Sequence, residues 1–498
     1  MAANLKSLAK DTAIYGMSSI VGRFLNYLLV PLYTAQLSAA SGGYGVITNL
    51  YSWTALLLVM LTYGMETTFF RYANKSEENP ATVYSTTLVA VGATSLMFVA
   101  MVLGFLPTVA GWLGYGEHSS FVAVMAVVVA LDAFQAIPFA YLRYKKRPIK
   151  FAALKLLFIF LNIVLNLLYF VVLPEFKINL FGIYDSAFTL NVGYAFYINL
   201  ACTGLVTLFF WQEIFAIKWT FDGKLLRHML GYSWPILVLG IAGILNQTAD
   251  KILFPYIYHA ADQKQQLGIY GAAAKIAMIM ALITQAFRYA YEPFVFGKSK
   301  DSDNKDTYAK AMKYFIIFTL LAFLSVMAWI GVLRYIIAPD YWEGLKVVPI
   351  VMAAEIMMGI YFNLSFWYKL IDKTIWGAVF SFAGCTVLIV INVMLVPQYG
   401  YMACAWGGFA GYATAMTLSY VVGQRYYPIA YPLKDIALYT LLALALYAGM
   451  ALVTVPGGMV VETLYRTALL MVFMGFMYRH EHMRPMLTKL PIVGKLFR

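Results

Sequence analysis

The chain is dominated by apolar runs long enough to cross a bilayer, and no other feature limits its fold so severely. Fourteen such blocks lie near 12–37, 44–70, 84–109, 119–142, 151–173, 192–215, 232–258, 268–296, 314–338, 347–368, 374–396, 402–424, 435–455 and 461–478. Each approaches or exceeds the roughly 20 apolar residues that a helix needs to span the hydrocarbon core. In that solvent every backbone N–H and C=O must be satisfied within the structure, which leaves helices or closed barrels. Runs of this length predict helices. With 62% hydrophobic and 12% charged residues, against about 25% charged in soluble domains, the expected fold class is an all-α polytopic membrane protein. The expected span count is about 14, with 12 or 13 left open because 347–368 and the last pair are the least distinct blocks.

Lys and Arg placement gives an independent test, because cytoplasmic loops collect them. They concentrate in 71–80, 143–150, 217–230, 297–313, 369–373, 425–434 and 478–498, whereas the alternate loops near 38–43, 110–118, 397–401 and 456–460 have none. Both termini are therefore expected in the cytoplasm. The formal charge of +13 reads as the mark of orientation rather than of nucleic-acid binding. The basic tail is expected to face anionic membrane lipid.

Several functions are disfavoured by what the sequence lacks. Its cytoplasmic segments of about 15–20 residues are too short for a nucleotide-binding domain, and GKS at 297–299 has Glu292 where a phosphate loop needs glycine. Cys202, Cys385 and Cys404 fall inside apolar blocks without paired spacing, so neither a disulfide framework nor a metal site is expected. The longest outer loop, 174–190, carries one Glu and one Asp and no His or Arg. That is thin equipment for general acid–base catalysis, and no catalytic residue or cofactor is assigned.

Two stretches resemble each other. YGMSSIVGRFLNYLLVPLY (15–33) followed by GGYGVITNLYS (42–52) parallels YSWPILVLGIAGILNQTADKILFPYIY (232–258) followed by LGIYGAAAKIA (267–277). An even repeat of six helices would place two lobes about an axis along the membrane normal. The expected organisation is a six-helix lobe at 1–215, a cytoplasmic linker at 216–231, a second six-helix lobe at 232–424, and an appended helix pair with a basic tail at 425–498.

The stretches DTAIYGMSSIVGRFLNYLLVPLYT, YGVITNLYS and YGMETTFFRYANK, together with many spans and tiny outer loops, make the chain resemble Wzx-type polysaccharide or oligosaccharide flippases. These belong to the MOP superfamily, with the MATE drug exporters and the lipid II flippases. The resemblance implies alternating access and a polyprenyl-(pyro)phosphate-linked oligosaccharide that crosses headgroup-first while its tail stays in the bilayer. It implies a monomer working beside polysaccharide-assembly proteins. A MATE-like cation-coupled drug exporter and a lipid II flippase are the alternatives, and a membrane polysaccharide polymerase or ligase is the rival from another class.

Charges inside the apolar blocks point to the pathway, because a charge near the bilayer centre costs about 2.5–3.5 kcal/mol on insertion scales and usually faces a wet interior. Ser19, Arg23 and Asn26 share a face of the first block; Asn246 or Gln247 and Asp250 form a stripe in the seventh, with Lys251 beside it. Adjacent positions are rotated by about 100°, so Asp250 and Lys251 are expected to need separate partners. The eighth block adds Lys275, Gln285 and Arg288. Glu66, Lys155, Asn162 and Asn166 are further candidates, and Asp132, Asp250 and Glu355 are the carboxylates suited to H⁺ or Na⁺ coupling. Fixed cations among amides suit a phosphorylated, sugar-bearing headgroup, and Arg23→Ala is expected to abolish transport without preventing insertion. Arg288 has Glu292 one turn on, a spacing that also allows a simple ion pair.

Overall fold

The computed structural model describes residues 27–74, 78–177, 191–215, 219–298, 304–371 and 373–481. Ser19, Arg23 and Asn26 lie outside the described residues, and so does the side chain of Glu292. The described residues form helices and turns without a strand. The principal helices are α1 (Leu29–Gln36), α2 (Gly43–Thr62), α3 (Met65–Ala73), α4 (Pro80–Gly104), α5 (Ser119–Tyr144), α6 (Pro148–Leu167), α7 (Gly193–Leu208) and α8 (Gly223–Ile257). They continue with α9 (Gln263–Ala277), α10 (Ile279–Lys298), α11 (Asn304–Ala328), α12 (Val348–Leu364), α13 (Ile375–Tyr399), α14 (Tyr401–Tyr426), α15 (Leu433–Leu452) and α16 (Gly458–His480).

The protein is an all-α, multi-pass membrane protein. Ten helices among the described residues are long and apolar enough to span, or eleven if the bent pair α9–α10 counts as one. Each block read from the sequence coincides with a helix, but not all reach the length and hydropathy of a span: α7 is shorter, and only the end of the first block is described. The segment 216–231, expected to be a linker, is helical from Gly223. Asp222 explains that start, since its carboxylate accepts from the backbone N–H of Lys224 at 2.8 Å and of Leu225 at 3.0 Å, satisfying donors that a helix leaves open at its N-terminus.

Two helices predicted as continuous are interrupted. Between α2 and α3, Tyr63 and Gly64 take left-handed backbone angles, with φ of 33° and 73°. Gly64 fits there because it tolerates positive φ and because an added Cβ would come 3.0 Å from Ile236 and from the Ser233 carbonyl on α8. The second interruption is a 42° bend between Ala277 and Ile279, where the Met278 N–H is shared between the carbonyls of Ala274 and Lys275. Irregular backbone at membrane depth is tolerated where it lines a cavity or is buried in protein, and Met278 lines one.

α2 is the central strut, packed along both α8 and α9. At its start the contact with α9 is backbone to backbone. A Cβ on Gly45 would overlap the Lys264 carbonyl oxygen, one on Gly268 would lie 3.0 Å from the Gly45 nitrogen, and one on Gly271 would overlap the Thr48 hydroxyl. Small residues allow this approach in membranes, where packing and hydrogen bonds replace the hydrophobic effect between helices. Polar contacts reinforce the same end: Asn49 Nδ2 donates to the Lys251 carbonyl at 2.9 Å, Tyr115 Oη donates to Asn49 Oδ1 at 2.9 Å, and Tyr341 Oη donates to the Leu37 carbonyl at 2.6 Å. The appended pair, α15 and α16, packs against α11. Its clasp is Lys313, whose Nζ lies 2.9 Å from Glu481 and 3.2 Å from Asp435.

Candidate functional site

Beyond the tight α2–α9 crossing the helices diverge around a cavity of about 710 Å³. Its walls come from α2, α8, the bent α9–α10 pair, α12 and α14. The structure brings together Asn246, Gln247, Asp250, Lys251, Lys275, Gln285, Arg288 and Glu355, all of which line this one cavity. They come from four helices, α8, α9, α10 and α12, which is why sequence proximity alone could not group them.

Asp250 and Lys251 correct one expectation. They do not seek separate partners: Lys251 Nζ lies 2.9 and 3.0 Å from the two Asp250 carboxylate oxygens and donates to the Gln247 carbonyl at 3.1 Å. A helical wheel fixes where Cβ points, whereas the four-carbon lysine stem folds back and brings the ammonium to its neighbour. Tyr270 on α9 completes the set by donating to Asp250 Oδ2 at 2.6 Å. Asp250 is buried, with its side chain 7% exposed; a carboxylate in such a place needs its charge and lone pairs satisfied.

Lys275 stands differently. Among the described residues it has no acid and no hydrogen-bond acceptor, and the charge acting on it is that of Lys251, of like sign. Arg288 lies toward the other end of the cavity with its guanidinium 5.1 Å from the Phe362 ring centroid, a cation–π distance. Counting described lining residues, the cations Lys251, Lys275 and Arg288 outnumber the carboxylates Asp250 and Glu355 by one. Four lining groups leave a buried polar atom without a hydrogen-bond partner among the described residues: Asn246 Oδ1, Thr284 Oγ1, Glu355 Oε2 and Tyr412 Oη. The Asn246 amide nitrogen is meanwhile committed to the carbonyls of Ala242 and Ser381 at 2.8 and 2.9 Å. Unpaired buried polar atoms of this kind are costly, and all four belong to residues that line this one cavity.

The remaining sequence candidates lie outside the lining of this cavity. Glu66 forms an ion pair with Arg143; Lys155 sits over the Phe139 ring at 4.1 Å. Asn162 accepts from Asn166, whose Oδ1 in turn accepts from Tyr33 at 2.8 Å. Asp132 lies near Thr203 and Lys155. Sequence reasoning missed the α2 wall, formed by Tyr44, Thr48, Tyr51, Ser52 and Ala55. Its spacing of i, i+4, i+7, i+8 and i+11 is a helical face, and that spacing was the available signal.

The fold is an all-α multi-pass membrane fold around a polar cavity, and it is shared with solved structures of the MOP superfamily. The structure resembles the inward closed conformation of the lipid II flippase MurJ with a TM-score of 0.72 and 16% identity, covering 94% of this chain and 99% of that one. It resembles an inward-facing multidrug resistance MATE family transporter at TM-score 0.65 and 13% identity, over 80% of this chain and 93% of that one. The MATE multidrug transporter DinF-BH gives 0.60 and 15%, over 84% and 95%. At these identities the likeness speaks for the fold. No curated protein sequence matches the chain. Residues 40–339, more than half of its 498 residues, match the model of the family described as polysaccharide biosynthesis protein, and the chain belongs to that family.

Proposed function

We propose that this protein is a flippase that carries a polyprenyl-(pyro)phosphate-linked oligosaccharide from the cytoplasmic to the outer leaflet, for assembly of a surface polysaccharide such as O-antigen, capsule or exopolysaccharide. The observation that carries the reading is Lys275: a cation inside a membrane cavity, with no acid partner among the described residues. A site of that kind favours an anion. The phosphate supplies the counter-charge, the neutral sugars fill the polar space around it, and the tail remains in the bilayer. An exporter of cationic drugs would be better served by a carboxylate surplus, the reverse of the balance among the described lining residues.

No covalent bond is made or broken in this scheme. Drive comes from an ion gradient, from the membrane potential acting on charge at about 2.3 kcal/mol per unit charge per 100 mV, or from consumption of the flipped product. Glu355 is the carboxylate best placed for H⁺ or Na⁺ coupling, since it lines the cavity and its Oε2 has no hydrogen-bond partner among the described residues. The loop charges favour both termini in the cytoplasm, which fits a bacterial inner-membrane flippase.

The test is leaflet sidedness of the lipid-linked oligosaccharide in cells depleted of this protein, read with an external glycan-modifying enzyme. Cytoplasmic accumulation reversed by the wild type, and not by an inserted Lys275→Met variant, supports the reading. Normal sidedness with intact polymer points to drug export, and normal sidedness with unpolymerised units outside points to an enzyme.

A further inference from the structure

The cavity has two chemically different walls. All of its charged lining residues lie between Asp250 and Glu355, on α8, α9, α10 and α12. The part of the lining that comes from α2 contributes none: it presents Thr48, Tyr51 and Ser52 beyond the Tyr44 end. The hydrogen-bond states of these hydroxyls are set by their surroundings. Thr48 Oγ1 donates to the Tyr44 carbonyl at 2.9 Å and Ser52 Oγ donates to the Thr48 carbonyl at 2.7 Å, so both protons are used and the oxygens' lone pairs remain as acceptors. Tyr51 is the reverse. Its oxygen accepts from Asn199 Nδ2 at 2.7 Å, which leaves the phenolic proton to donate. Asn199 is itself steadied by Thr203, which donates to Asn199 Oδ1 at 3.3 Å, so the phenol is held from behind by a neighbouring helix rather than left to rotate.

We infer that Tyr51 is the glycan-contacting and glycan-selecting residue, with the headgroup lying across the cavity so that its phosphate faces Lys275 and its sugars face α2. This rests on the flippase reading and deepens it. A phenol held as a donor on the edge of an aromatic ring matches the mixed hydroxyl and C–H surface of a pyranose. An uncharged wall removes any competing site for the phosphate. A site built to hydrogen-bond a particular hydroxyl rejects a sugar that lacks it, because its own polar groups would be left unpaired. Asn199 is a positioning residue in this scheme.

The experiment is photo-crosslinking in the native host, where the genuine glycolipid is present, with p-azidophenylalanine placed at position 51 and, separately, at position 278 on the charged side. After irradiation, mild acid cleaves the bond between the anomeric carbon and the phosphate. The position-51 peptide is expected to keep the mass of a sugar. A position-51 peptide that keeps only phosphate or lipid, or an adduct found at 278 and absent at 51, overturns the inference while leaving the flippase reading intact. No glycolipid adduct at either position overturns both. A second variant guards against loss of folding: Tyr51→Phe keeps the ring, removes the donor, and is expected to slow transport of the native glycolipid by about three- to tenfold. Unchanged transport by that variant removes the assigned hydrogen bond.

Discussion

Tyr270 on α9 donates its hydroxyl proton to Asp250 on α8 at 2.6 Å, tying α9 by one short bond to the helix that carries the cavity's Asp250–Lys251 ion pair. The bond makes Asp250 the shared acceptor of an ammonium and a phenol, so its loss strands two groups at once. Asp250→Asn is expected to lower stability by on the order of 3 kcal/mol, the cost typical of breaking one side of a buried pair. The double variant Asp250→Asn with Lys251→Met should recover much of that loss, because no unpaired charge remains. Melting temperatures of the purified single and double variants check this; equal loss in both would mean that the ion pair is not what holds the site.

Lys275 should behave in the opposite way. Its removal relieves repulsion with Lys251, so Lys275→Met is expected to leave the melting temperature unchanged or raised while transport is lost. A matching fall in both would make Lys275 a structural residue.

The α2–α9 crossing predicts a conformational variant. Gly45→Val would drive a branched side chain into the Lys264 carbonyl, forcing the helices apart at that end. With Thr48→Cys as reporter, labelling by a membrane-impermeant thiol reagent from the outer face should rise several-fold over the Gly45 parent. The native cysteines Cys202, Cys385 and Cys404 are buried and free, and a control lacking the reporter measures their background. No change in labelling would show that this crossing does not close the cavity.

The clasp on the appended helix pair predicts an acid limb in stability. Burial pushes the Glu481 carboxyl up, but hydrogen bonds from Lys313, His480 and Tyr439 with the Lys313 charge outweigh it, and the group sits below its usual 4.5. A carboxylate held low in the folded state stabilises fully above its unfolded value, and that contribution fades as pH falls through the folded value. The melting temperature should therefore drop more steeply below about pH 4.5 in the wild type than in Glu481→Gln, which starts lower and stays flatter. Parallel curves would remove Glu481 from the clasp.

The apolar blocks were legible because a bilayer permits so few backbone solutions, and the intramembrane charges of the 246–288 region were legible because membranes make them rare. The breaks at Tyr63–Gly64 and at Met278 were not. Hydropathy is blind to backbone angles, and the need for glycine at position 64 comes from Ile236, far away in sequence. Glu66 could not be sorted from the cavity candidates because its partner, Arg143, is 77 residues away. The α2 wall was overlooked for a different reason: Thr, Ser and Tyr are ordinary in apolar helices, and only the facing charges give Thr48, Tyr51 and Ser52 their meaning.

The contact between Gly45, Lys264 and Gly268 is made of main chain on both sides, and this bears on the energy economy of the cell. A carrier with a cavity of about 710 Å³ would be a leak if a file of water bridged its closed end, since protons travel along such files. Side chains meeting there would rattle and admit water transiently. Peptide backbone pressed against peptide backbone leaves no room for such a file along this contact, so on the flippase reading a headgroup held inside would cost the membrane no proton leak there.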